Sequence, residues 1–177
     1  GQLTVPVTIT NLTGHKLPTS YPSRRMWLHL AVSDAEGVVV FESGNADTQG
    51  RLSVDALHLQ EECLDDHKDS AEFNYAECYE PHRDTITSSQ QVAIYESILG
   101  DVNGRISYVL LHADEYLKDN RIPPQGFRRN RLPGDGATAI IGSARTDPDF
   151  NLESPLGSGQ DTVKYSIPVL PDAGPFT

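Results

Sequence analysis

The sequence predicts an all-β chain, an antiparallel β-sandwich of immunoglobulin-like or related kind with long loops, formed as a single domain over residues 1–177. Three observations predict it. Residues 3 to 10 alternate Leu3, Val5, Val7 and Ile9 with Thr4, Pro6, Thr8 and Thr10, which is the period of a strand with one buried face. The 14 Gly and 12 Pro cut the chain into short segments bounded by turns. About seven or eight such segments recur at the spacing of a sandwich, and 177 residues suffice to bury a core without staples.

In chain order, the first strand carries Pro6, which has no N–H to give to a ladder, and so reads as an edge open to another chain. Asn11-Leu12-Thr13 has the pattern of a glycosylation sequon. Residues 14–28 form a loop stiffened by Pro18 and Pro22. Met26, Leu28, Leu30 and Val32 then alternate with Trp27, His29, Ala31 and Ser33 as a second strand, turned at Asp34-Ala35-Glu36-Gly37 into a partner strand over 38–43. Residues 44–50 read as a turn and 51–60 as a short strand. An acidic segment at about 61–82 holds both cysteines and reads as an insertion. Residues 84–99 pair with 105–112 across the turn Gly100-Asp101-Val102-Asn103-Gly104 as a second hairpin, and Asp114 caps one helical turn ending at Lys118. A basic, proline-punctuated loop runs over 121–136, and long loops in compact domains are functional or pinned by partners. The last strands span 138–145 and 162–169, and an apolar tail with Leu170 and Phe176 closes the chain in search of a surface.

Charge excludes several function classes. With 25 acidic against 14 basic residues the net charge is -11, which repels phosphate backbones and anionic lipid. Nucleic acid is not an expected partner, and no apolar run is long enough to span a bilayer. Gly-x-Ser-x-Gly, His-Glu-x-x-His and phosphate-cradling glycine loops are all missing from the sequence, so the chain reads as non-catalytic.

Two stretches carry a resemblance. Gly14-His15-Lys16-Leu17-Pro18-Thr19 with Tyr21-Pro22 and Arg24-Arg25-Met26-Trp27, and Leu117-Lys118-Asp119-Asn120-Arg121-Ile122-Pro123-Pro124-Gln125-Gly126-Phe127, resemble the β-rich domain that accompanies haem-bearing segments in bacterial and archaeal multihaem c-type cytochromes. The run over 95–103 is similar too. The chain departs from that pattern at Ser20, where the family has Gly, and in the 61–82 insertion. The resemblance implies export to an extracellular or periplasmic location. It also implies a structural or interaction role with other protein chains, through self-assembly or a cytochrome partner, as in a subunit of an extracellular assembly or fibre. Arg24, Arg25, Trp27, Asp119, Asn120 and Arg121 would form its structural loops, and because a guanidinium holds several oxygens at once the two loops are expected to meet.

Cys-x-x-Cys-His does not occur in the sequence, so the chain carries no covalent haem of its own. The alternative role is electron transfer, with His15 offered as distal ligand to a haem on a neighbouring segment. Cys63 with His67 and Cys78 with His82 repeat a Cys-x3-His spacing that zinc would accept. In an exported chain the simpler reading is a Cys63–Cys78 disulfide. Asp147, Asp149, Asn151 and Glu153 alternate along one loop that ends at Asp161, and hard oxygen donors in that pattern suit Ca²⁺.

Overall fold

The computed structural model describes residues 1–19, 21–52, 78–128, 139–169 and 174–177. Its strands are β1 (Gln2–Thr10), β2 (Met26–Trp27), β3 (Leu30–Ser33), β4 (Val39–Ser43), β5 (Thr85–Ile86), β6 (Ile94–Tyr95), β7 (Ser97–Gly100), β8 (Glu115–Asp119) and β9 (Gln160–Pro168). Helix among the described residues is confined to short 3-10 turns such as Leu110–His112 and Ser143–Arg145. The chain is therefore all-β. Its sheets are small: one of three strands in the order β1-β9-β5, and the pairs β2-β6, β3-β4 and β7-β8.

The two longest strands follow from their alternation. In β1, Leu3, Val5, Val7 and Ile9 face inward, and in β9 Val163, Tyr165 and Ile167 are buried at 0–1% exposure. Both rows enter a core that also takes Val32, Phe41, Ile86, Tyr95, Ile122, Ile140 and Phe150. Phe41 meets Tyr165 edge to face at 6.3 Å. Register explains Pro6. Gly1 and Val169 exchange both backbone bonds, at 2.7 and 3.1 Å, and the Asn11 N–H donates to the Gly159 carbonyl at 2.8 Å. Odd positions of β1 thus bond to β9, while even ones turn their donors outward. Pro6 lies opposite Lys164 at an even position, so its missing N–H falls on the outer edge and costs the β1–β9 ladder nothing.

Four sequence expectations change. The strand expected over 26–33 is two strands: β2 pairs with β6, and β3 with β4. The break lies where Gly44 crosses so close to the Leu28 carbonyl that a Cβ would sit 2.0 Å from it. The second hairpin has a different return arm, because β7 pairs with β8, where a helical turn was expected. Residues 105–112 supply only the Gly100–Ile106 bridge and an exposed 3-10 turn, whose apolar side chains find no core. Near 138–145 the described residues make one bridge, Asp119–Ile141, in place of a strand. Pairing is not wholly antiparallel either, since β5 runs parallel to β9. The strand expected over 51–60 lies, beyond Leu52, outside the described residues. At the C-terminus, Thr177 exchanges backbone bonds with Ser33 at 3.0 and 2.8 Å, and Phe176 packs on the chain's own core.

Candidate functional site

The two loops that carry the resemblance meet. Leu17 and Ile122 exchange backbone bonds, both 2.9 Å. Lys16 Nζ reaches Asp119 Oδ2 at 2.7 Å and the Ala139 carbonyl at 2.8 Å. Arg121 grips the same carboxylate with two bonds, Nε to Oδ1 at 2.8 Å and a terminal nitrogen to Oδ2 at 2.7 Å. Asp119, fully buried, thus sits between two cations. Burial pulls the Lys16 ammonium below its usual value against the opposing pull of Asp119, whereas the Asp119 bonds hold Arg121 above its own. Arg24 and Arg25 lie elsewhere. Arg24 is exposed, its N–H closing a turn on the Tyr21 carbonyl, and Arg25 stacks over Trp27 at 5.8 Å, whose indole N–H donates to the Gly44 carbonyl at 3.1 Å.

Asn11 anchors the first loop. It is 1% exposed, its amide nitrogen donates to the His15 and Ile122 carbonyls, and its oxygen accepts from Thr13, so the sequon asparagine is a brace. His15 itself is exposed. Its Nδ1 lies 3.1 Å from both the Lys16 carbonyl and the Thr13 hydroxyl, in a cleft of about 150 Å³ walled by Pro123, Pro124, Phe127 and Arg128. A proton on Nδ1 bonded to that carbonyl leaves the Nε2 lone pair available to a metal.

A second constellation is buried and links distant parts of the chain. His82 Nε2 meets Asp147 Oδ2 at 2.8 Å and lies 3.9 Å from Asp161 Oδ2, which accepts from the Tyr95 hydroxyl at 2.6 Å. Asn120 sets the tautomer. Its oxygen accepts from the Glu96 N–H at 2.9 Å, so its amide nitrogen must be the group that donates to the Ile94 carbonyl at 2.8 Å and faces His82 Nδ1 at 3.2 Å. The His82 ring proton accordingly sits on Nε2 and points at Asp147. Asp147 Oδ1 also accepts from the backbone of Asp149 and Phe150. Burial raises Asp147, but these bonds, His82 first, outweigh it and hold the carboxyl low. At Asp161 burial prevails over the lowering pull of His82 and the Tyr95 hydroxyl and pushes the carboxyl up to about 6, and its Oδ1 is buried with no hydrogen-bond partner. Burial also raises Tyr95 and Asp149. Beside this group Lys118, 2% exposed, donates to the Glu80 and Ile94 carbonyls and to Glu96 Oε1, at 2.6, 3.1 and 2.9 Å.

The Ca²⁺ residues named from sequence divide here. One ligand atom each of His82, Asp147 and Asp161 lies within 4.8 Å of the others, and so do those of Asp84, Asp147 and Asp149. Asn151 is elsewhere engaged, donating to the Phe127 carbonyl and accepting from the Gly159 N–H, both at 2.9 Å, and Glu153 sits on an exposed turn bridged to Gly157. Sequence reasoning missed Asp84 and Tyr95, and weighed His82 only for a zinc spacing that it set behind the Cys63–Cys78 disulfide. Cys78 is buried and carries no free thiol, while Cys63 and His67 lie outside the described residues. The buried cluster had one signal in the chain, the density of polar residues within 117–121, which resisted a surface reading only once their partners were in place. Comparisons with protein-family models, with curated proteins and with solved structures found no match.

Proposed function

We propose that this chain is a non-catalytic, exported interaction module of the kind associated with multihaem cytochromes, working through contact with another protein chain in an extracellular or periplasmic assembly. One observation carries the reading: the turn between β7 and β8 holds Val102, Tyr108 and Leu111 out to solvent at 78, 65 and 95% exposure, with Val109 and Leu110 beside them. Apolar side chains this exposed and outside the chain's core clusters serve a contact. Lys118, Asp119, Asp147 and Asp161, by contrast, are buried and spent on partners within the chain, which favours a scaffold over a catalyst. The same reading takes the small sheets as the halves of a sandwich, with β1-β9 packed on β3-β4 through Phe41 and Tyr165, and takes Cys63 and Cys78 as a disulfide tying down the insertion. The test is hydrodynamic. Native material should sediment as a particle larger than one chain, and Val109→Asp with Leu111→Asp should release a folded monomer with an unchanged melting temperature. A native particle of one chain alone defeats the proposal.

His15 supports a second reading, electron transfer with a haem protein. Its Nδ1 is tied to a carbonyl, and the proline and phenylalanine wall beside it suits the edge of a porphyrin. A ferric haem peptide with one open axial position should give a low-spin Soret shift with the chain, lost in His15→Ala and kept in His29→Ala. Equal loss in both variants would remove this reading.

A further inference from the structure

On the reading that this chain works by contact with a partner, we propose that the cleft beside β2 seats a glutamate of that partner, its carboxylate held by Arg25 and Arg51 and its stem laid along an apolar wall. The cleft encloses about 200 Å³ and is lined by Arg25, Arg51, Leu52, Ile94, Ile98 and Tyr108. Sites for small organic ligands run to about 300–1,000 Å³, so this one suits a single side chain. Tyr108 also stands in the exposed turn between β7 and β8, and a segment lying on that turn therefore passes the cleft.

Charge decides which side chain. Among the described residues, ion pairs take up Lys16, Arg83, Lys118, Arg121 and Lys164 and leave Arg25 and Arg51 outside any such pair. The two carboxylates on the cleft wall are already spent, since Glu80 accepts from Arg83 at 2.8 Å and Glu96 from Lys118 at 2.9 Å. Two guanidiniums thus line the cleft beyond what its own carboxylates neutralise. Both are placed in advance. Arg25 stacks over Trp27 at 5.8 Å, which orients the guanidinium and directs its N–H edge away from the ring. Arg51 closes the Asp47 turn, giving its backbone N–H to Asp47 Oδ1 at 2.9 Å and accepting the Asp47 N–H on its carbonyl at 2.8 Å, beside the Ala46–Leu52 bridge. A carboxylate matches the guanidinium fork, and the leucine and isoleucines cover the methylenes that carry it. The chain as a whole is acidic, but at physiological salt its field is screened beyond about 8 Å, so the local charges govern the contact.

Trp27 is the chain's single tryptophan and reports on Arg25 directly. Acetyl-Leu-Glu-Leu-amide should shift its emission saturably, and acetyl-Leu-Gln-Leu-amide, the same shape without the charge, should bind about 10-fold more weakly or worse, the loss of a charge-assisted bond. By calorimetry, Arg25→Gln and Arg51→Gln should each weaken the Glu peptide by a similar factor, while Arg24→Gln, exposed and not on the cleft wall, should leave it unchanged. The chain with Val109→Asp and Leu111→Asp should still bind the peptide, because neither residue lines the cleft. A native particle of one chain that binds the peptide would defeat the assembly reading and leave the cleft standing, whereas an assembled particle that ignores the peptide would defeat the cleft alone. Equal binding of the Glu and Gln peptides, or binding that survives both arginine replacements, would overturn the proposal. Acetate or inorganic phosphate competing as tightly as the Glu peptide would overturn it too, in favour of a site for small anions.

Discussion

At the scale of single residues, one device recurs three times. Asp34, Asp47 and Asp101 each accept through Oδ1 from the N–H groups two and four residues on, and each is followed three residues later by a glycine at positive φ, Gly37, Gly50 and Gly104. The short carboxylate fixes the turn and the glycine takes the left-handed conformation that other residues resist. Backbone N–H bonds pull the Asp47 and Asp101 carboxyls below their ordinary value of 3.8. A folded pKa lowered in this way contributes stability above the unfolded value that is lost as pH falls through the folded one. Carboxyl-carbon NMR titration should therefore find both groups titrating below 3.8 in the folded chain. Glycines separate conformation from space. A methyl at Gly37 meets nothing within 4 Å, so Gly37→Ala should cost about 1–2 kcal/mol, the left-handed penalty alone. At Gly44 the φ is +78° and the Leu28 carbonyl carbon lies 3.0 Å from the added methyl, its oxygen closer still, so Gly44→Ala should exceed about 3 kcal/mol in denaturant unfolding. Equal costs would show that the Leu28 crossing is not a tight one.

At the scale of elements, alternation revealed β1 because it buries one clean apolar face, whereas the buried row of β9 includes Asp161 beside Val163, Tyr165 and Ile167. It failed at β8, where Lys118 and Asp119 look like surface residues and are buried at 2 and 0% exposure. Nothing local reveals this: the partners of Asp119 stand at Lys16, 103 positions away, and at Arg121. The same blindness moved the return arm of the second hairpin to 105–112, whose apolar Val109-Leu110-Leu111 looks more like a strand than Glu115-Tyr116-Leu117 does. Pro6, in contrast, was legible as an edge marker, and the register gives its effect. With donors at Gln2, Thr4, Thr8 and Thr10 facing out, Pro6 interrupts the outer edge of β1 at its midpoint, so a strand from another chain cannot pair along its full length. Pro6→Thr restores the missing donor without touching the β1–β9 ladder. Its melting temperature should hold within about 0.5 kcal/mol of stability, while light scattering at high concentration should reveal new self-association. A variant that stays as dispersed as the parent would mean that the edge is guarded by something other than proline.

At the scale of the whole molecule, an acidic chain keeps a row of its few cations inside. Lys16, Lys118 and Arg121 each cross from one segment to another: Lys16 ties the first loop to Asp119, Arg121 doubles that grip, and Lys118 joins β8 to Glu96 and to the carbonyls of Glu80 and Ile94. With many short strands and no large sheet among the described residues, these bridges hold together elements that backbone ladders leave separate. Lys118 is the sharpest test, because burial drags its ammonium below the usual value and only the surrounding oxygens hold the charge in place. Lys118→Met keeps the volume but leaves Glu96 with a buried carboxylate and takes the Lys118 donor from the Glu80 carbonyl, while Ile94 keeps the Asn120 amide, and losing one partner of a buried pair costs about 3–5 kcal/mol. Removing both charges is a different matter. If the pair is a specificity device and not a source of net stability, Lys118→Met with Glu96→Gln should unfold well above Lys118→Met alone, with a coupling energy of about 1–3 kcal/mol in the double-mutant cycle. Simple additivity would place the role of Lys118 in its carbonyl bonds, and the bridge between β8 and the residue after β6 would then rest on the backbone and not on charge.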